Sequence, residues 1–139
     1  MGLSPDAVRV GAMTTNTNNN PIGWFEIGSG DPEAARRFYG EAFGWRFAME
    51  GPYSIITTGD GHPLQGGIQD TRLDLPEGTP HQYAVVCVQV PDTAAACARV
   101  ESLGGKVLVG STMTPMGLTY AHVADLDGNH LGLFTPPAR

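Results

Sequence analysis

Long apolar runs are missing from this 139-residue chain. No stretch approaches the roughly 18 apolar residues of a membrane helix, so no spanning segment is expected. Basic residues are scarce and scattered, eight Lys and Arg against fourteen Asp and Glu. Neutralising phosphates takes clustered positive charge, so a net charge of −6 argues against nucleic acid as a partner. Cysteine is limited to Cys87, on an expected strand, and Cys97, on an expected helix, a spacing of neither metal knuckle nor redox pair. Buried free thiols in a reducing cytoplasm are the reading. Residues 1–20 hold no apolar core flanked by basic residues and end in a polar tract over 14–20, so they predict a flexible tail rather than a secretory signal. Met13 is a candidate alternative start. Catalytic signatures are missing too: there is no Gly-x-Ser-x-Gly elbow, no phosphate-cradling loop followed by Lys and no His-Glu-x-x-His. What remains, 41% apolar and 16% charged residues, is the composition of one globular domain.

The positive signal is a repeat. The run Trp24-Phe25-Glu26-Ile27-Gly28-Ser29-Gly30-Asp31-Pro32-Glu33-Ala34-Ala35 reads as strand, turn and capped helix, closing at Phe43-Gly44-Trp45. About sixty residues on, Val85-Val86-Cys87-Val88-Gln89-Val90-Pro91-Asp92-Thr93-Ala94-Ala95-Ala96 does the same and closes at Leu103-Gly104-Gly105. Asp31 is a good N-cap, and Pro32 loses no hydrogen bond at the first helical position. Ala35, Phe38, Tyr39, Ala42 and Phe43 recur at helical steps. Strand-like segments follow each helix, over 45–49, 53–58 and 63–69 in the first copy and 106–109, 118–125 and 130–134 in the second. Asp60-Gly61 and Asp127-Gly128 echo each other between the last two strands of each copy. The fold class is therefore α+β. Two tandem βαβββ modules, 21–70 and 81–137, joined by a linker over 71–80, form a single domain over 21–139 with a curved mixed sheet around a cavity and helices outside.

Period-two alternation sorts the strands into faces. Trp24 and Glu26 share the face turned from the helix, as do Tyr83, Val85 and Cys87, and as do His130, Gly132 and Phe134. A concave surface lined from both modules is a pocket for a small apolar or aromatic organic molecule. Trp24 offers a flat wall for stacking or plugs the cavity. Glu26 is a candidate for acid–base work, for ligand contact, or for a structural pairing with a neighbouring Arg or Tyr. Met113 and Met116, in an expected loop over 111–117, supply an adaptable rim. Gly66-Gly67 reads as a bulge or a close approach of chains.

The strand, Asp-Pro-Glu-Ala-Ala, Phe-Tyr and Phe-Gly-Trp series, with Asp-Leu-Asp-Gly-Asn before the last strand, resembles the glyoxalase/bleomycin-resistance/extradiol-dioxygenase (vicinal oxygen chelate) superfamily. That resemblance implies a homodimer and, in many members, a divalent metal held from the first and last strands of each module. Carried onto this chain, the ligand positions fall on Trp24, on Val85, on Gly132, and on Gln65 or its neighbour Gly66. Trp, Val and Gly offer no such side-chain ligand and one Gln amide is weak, so no metal or other cofactor is expected. The expectation is a metal-independent binder, of the kind that sequesters an antibiotic or secondary metabolite. The alternative is a glyoxalase-type lyase, isomerase or dioxygenase with a divalent metal relocated to Glu26, His122 and His130. Against it stands the plainer reading that these imidazoles bond loop backbone or face solvent.

Overall fold

The computed structural model describes residues 19–138. All but the last two residues of the tail expected over 1–20, Met13 included, lie outside the described residues. The chain runs β1 (Ile22–Ser29), α1 (Pro32–Phe43), β2 (Arg46–Glu50), β3 (Tyr53–Thr57), β4 (Gln65–Asp70), then β5 (Tyr83–Gln89), α2 (Thr93–Ser102), β6 (Lys106–Met113), β7 (Thr119–Ala124) and β8 (His130–Thr135). Both helices start as the repeat predicts. The Asp31 carboxylate accepts from the Ala34 N–H at 3.1 Å, and Asp92 accepts from Ala95 at 3.0 Å. Gly44, at φ 73°, gives α1 its left-handed exit.

The eight strands form one mixed, open sheet in the order β2-β3-β4-β1-β5-β8-β7-β6, with both helices on the outer face. The order is symmetric about the β1–β5 contact. β1 runs parallel to β4 and β5 parallel to β8, while β1 and β5 meet antiparallel. Two apolar clusters pin the helices. Ile27, Ile56 and Ile68 pack with Phe25, Ala35, Tyr39, Trp45 and Phe47 under α1. Val90, Cys97, Ala121, Val123 and Leu133 pack with Val88, Ala96 and Val100 under α2. Sending Phe25 and Ile27 outward turns Trp24 and Glu26 to the other, inner face. Cys87 and Cys97 are both free and buried.

One expected boundary moves. The second module's first post-helix strand was expected over 106–109 and runs on to Met113, taking in half of the expected loop. The cause is pairing: Thr112 faces Tyr120 and Met113 faces Thr119, while irregularities between Val107 and Thr112 absorb the mismatch. A tight turn remains, closed by the Thr114 N–H donating to the Leu118 carbonyl at 2.8 Å.

Candidate functional site

The inner face gathers its side chains from six strands. Across the β1–β5 ladder Trp24 faces Cys87, Glu26 faces Val85 and Gly28 faces Tyr83. Cys87 in turn faces Gly132, and Gly132 faces His122. Trp24, Glu26, Tyr83, Val85, Cys87, His130, Gly132 and Phe134 thus occupy one face, as their alternation predicts. Gln65 shares it by register but is exposed, and its amide donates to Thr57 at 3.3 Å rather than to the central cluster.

Glu26 is the centre of that cluster. The Tyr53 hydroxyl donates to its Oε1 at 2.7 Å, and the Tyr83 hydroxyl donates to its Oε2 at 2.6 Å. Trp24 Nε1 donates to the Tyr53 oxygen at 3.1 Å. One carboxylate therefore joins a phenol from each module, which is the Tyr pairing among the three roles open to Glu26. Burial pushes its carboxyl above the ordinary 4.5, against the opposing pull of the two phenol hydrogen bonds. Burial and the adjacent carboxylate together hold both phenols well above the usual tyrosine range, so they remain donors. The same two causes push the Cys87 thiol up to about 12, which makes it a poor nucleophile at neutral pH.

Two glycines make the cluster possible. A methyl on Gly67 would overlap the Tyr53 hydroxyl, and one on Gly28 would overlap the Tyr83 ring. The Gly66-Gly67 pair is thus a close approach rather than a bulge, with Phe25 over Gly66 on the outer face. Tyr53 was legible only as a strand residue. Its partnership with Glu26 depends on β3 pairing with β4 so that Gly67 opens the path.

His122 and His130 meet as well, with Nδ1 of the first 2.7 Å from Nε2 of the second. One of the two nitrogens carries the hydrogen, so the outer ends of a neutral pair present one donor and one acceptor. Burial, then the neighbouring imidazole, lowers His122 to about 4; burial lowers His130. Both are therefore neutral at pH 7. The Tyr83 ring lies edge-on to both, its centroid 5.4 Å from His122 and 5.2 Å from His130.

These rings pack into the floor of the cup, and the open space lies one step along the same strands. A cavity of about 530 Å³ sits between linker residues Asp74, Leu75 and Pro76 and the end of β6, with Gln69 and Tyr120 completing its wall. Gln69 lies two residues past Gly67 on β4, and Tyr120 two before His122 on β7. Both methionines are exposed; Met113 stands on the cavity rim and Met116 does not line it.

Paired βαβββ modules with a shared inner face define a class, and the class has a name. The chain belongs to the Glyoxalase/Bleomycin resistance protein/Dioxygenase superfamily, which it matches over residues 21–133. Among solved structures it is similar to methylmalonyl-CoA epimerase from Mycobacterium tuberculosis, at 15% identity over 93% of this chain and 96% of that one, with a TM-score of 0.60. It is also similar to a glyoxalase/bleomycin resistance protein/dioxygenase superfamily member from Vibrio splendidus 12B01, at 16% identity over 80% and 94%, with a TM-score of 0.53. At these identities the likeness is one of fold. No curated protein matches the sequence.

The superfamily's metal positions can now be tested against the residues that fill them. The first module's last-strand position, expected at Gln65 or Gly66, is corrected to Gly67. Glu26 faces Gly67 as Cys87 faces Gly132, and Glu26 and Cys87 stand equally far before their capping aspartates. The four positions are then Trp24, whose N–H is a donor, buried Val85, and two glycines. A side chain on Gly132 would meet Cys87 Sγ at 2.8 Å. This donor set does not fit a divalent ion. Among the described residues no three His, Cys, Asp or Glu side chains are grouped to hold one, and Glu26 bonds its two tyrosines rather than the imidazole pair.

Proposed function

We infer that this superfamily member is a metal-independent binder of a small, flat, largely apolar organic molecule, an antibiotic or secondary metabolite, which it sequesters without transforming it. The observation that carries the reading is the replacement of every inherited ligand position by indole, isopropyl or bare backbone, on a scaffold that still has an open cavity of about 530 Å³ between its linker and the end of β6. Tyr120 on the cavity wall suits stacking, and the Glu26–Tyr53–Tyr83 group is closed on itself, as a rigid floor requires. The reading includes a homodimer and a cytoplasmic setting, to which the two free cysteines are suited. No helix among the described residues is long and apolar enough to cross a membrane.

Isothermal titration against aromatic and glycopeptide compounds, with and without EDTA, tests it. Binding below about millimolar, where it is worth only about 4 kcal/mol, and indifferent to chelator is the expected result. Binding that EDTA abolishes would favour the second reading, a lyase, isomerase or dioxygenase with a relocated metal. The meeting of His122 and His130 supports that alternative, but Glu26 would have to leave its tyrosines to complete the site.

A further inference from the structure

The cavity beside the linker has a chemical bias that its shape alone does not convey. Among the described residues its only charged lining group is Asp74, and no Lys, Arg or His lines it. The Asp74 carboxylate has no ion-pair or side-chain hydrogen-bond partner among the described residues. Its neighbours are neutral and add both acceptors and hydroxyl donors. Gln69 directs one amide N–H at the Asp70 carbonyl, which leaves its second N–H and its amide oxygen open to a ligand. The Thr112 hydroxyl donates to the Gly110 carbonyl, leaving its lone pairs outward, and the Thr114 N–H is taken by Leu118. Pro76 and Pro115 have no N–H to offer. An anionic ligand would meet an unpaired carboxylate and no cation, only neutral donors such as the Tyr120 and Thr114 hydroxyls, an arrangement that leaves its charge uncompensated. A cation meets the Asp74 carboxylate, amide and hydroxyl oxygens, and a wall that includes Tyr120 and Met113.

The geometry points to a ligand that is an organic cation, a flat apolar body carrying a protonated amine, held between Tyr120 and Asp74. The inference rests on the binding role above and narrows it: phosphorylated and carboxylated metabolites are disfavoured in this cavity by charge.

Three matched indoles test it on the full chain: tryptamine, indole-3-ethanol and indole-3-propionate, titrated at low ionic strength by calorimetry. Because Asp74 is exposed, the expected preference is modest, with the amine about fivefold tighter than the alcohol and the acid about fivefold weaker. In Asp74→Asn the amine-to-alcohol ratio falls to about one, and in about 1 M salt it does the same in the wild type. Tyr120→Leu weakens amine and alcohol together. Equal affinities for the three compounds, or an amine preference that survives Asp74→Asn, would overturn the cation inference and leave the binding role standing. Failure of all three to bind at millimolar concentration would overturn both.

Discussion

The two modules share a scaffold and differ in what they carry on it. Toward the helices the equivalent positions are apolar in both: Ile27 matches Val88, Ile56 matches Val123 and Ile68 matches Leu133. On the inner face they diverge. Glu26 of the first module stands where the second has Cys87, Ile55 where it has His122, and Gln65 where it has His130. Besides the glycines Gly67 and Gly132, Tyr53 and Tyr120 kept their residue type, yet Tyr53 is tied to a carboxylate while Tyr120 borders open space. The outer face is constrained by packing, which asks only for apolar volume, whereas inner positions other than the matched glycines and tyrosines have taken different chemistry. A carboxylate group sits in one half and an imidazole pair in the other, with Tyr83 in contact with both.

The sharpest way to break the comparison is at its matched glycines. In Gly67→Ala the new methyl displaces the Tyr53 hydroxyl, losing its bonds to Glu26 and Trp24, for an expected loss of about 3–4 kcal/mol in denaturant unfolding. Gly132→Ala meets only the Cys87 sulfur at 2.8 Å, and a loss of about 1 kcal/mol is expected. Equal losses would show that Tyr53 is not seated against Gly67.

Removal of the divergent groups comes next. Glu26→Ala leaves two phenols without their acceptor and is expected to destabilise by about 3 kcal/mol. Its counterpart Cys87→Ala removes one buried sulfur and is expected to lose about 1–2 kcal/mol.

The halves also respond to pH in opposite senses. Glu26 binds its proton more tightly folded than unfolded, so its contribution is fully present below 4.5 and declines as pH rises above that value. His122 binds its proton less tightly folded, so its contribution is present above 6.5 and is lost as pH falls toward about 4, on the order of 2–3 kcal/mol. Unfolding curves taken from pH 4 to 8 should therefore show Glu26→Gln gaining on the wild type as pH rises. His122→Phe should gain as pH falls. Parallel curves for wild type and variants would remove the burial argument for both. The smallest effect expected is that of Trp24→Phe, about 1 kcal/mol, for the single bond from indole N–H to Tyr53.

The amino-acid order by itself settled the duplicated βαβββ plan and the sorting of faces, because capping, glycine exits and period-two alternation are local. Asp31, Asp92 and Gly44 act within one turn of their own position. The site was legible only as a face, with Trp24, Glu26 and the β5 and β8 residues on it. Which of those residues touch was decided by register between strands far apart in the chain. That Tyr53 reaches Glu26 depends on Gly67 lying opposite Ile55 and beside Glu26, and that the tyrosines and histidines fill the floor depends on side-chain volume summed over five strands. The cavity by the linker is likewise a tertiary fact, since its walls come from segments that meet only when the two modules close on each other.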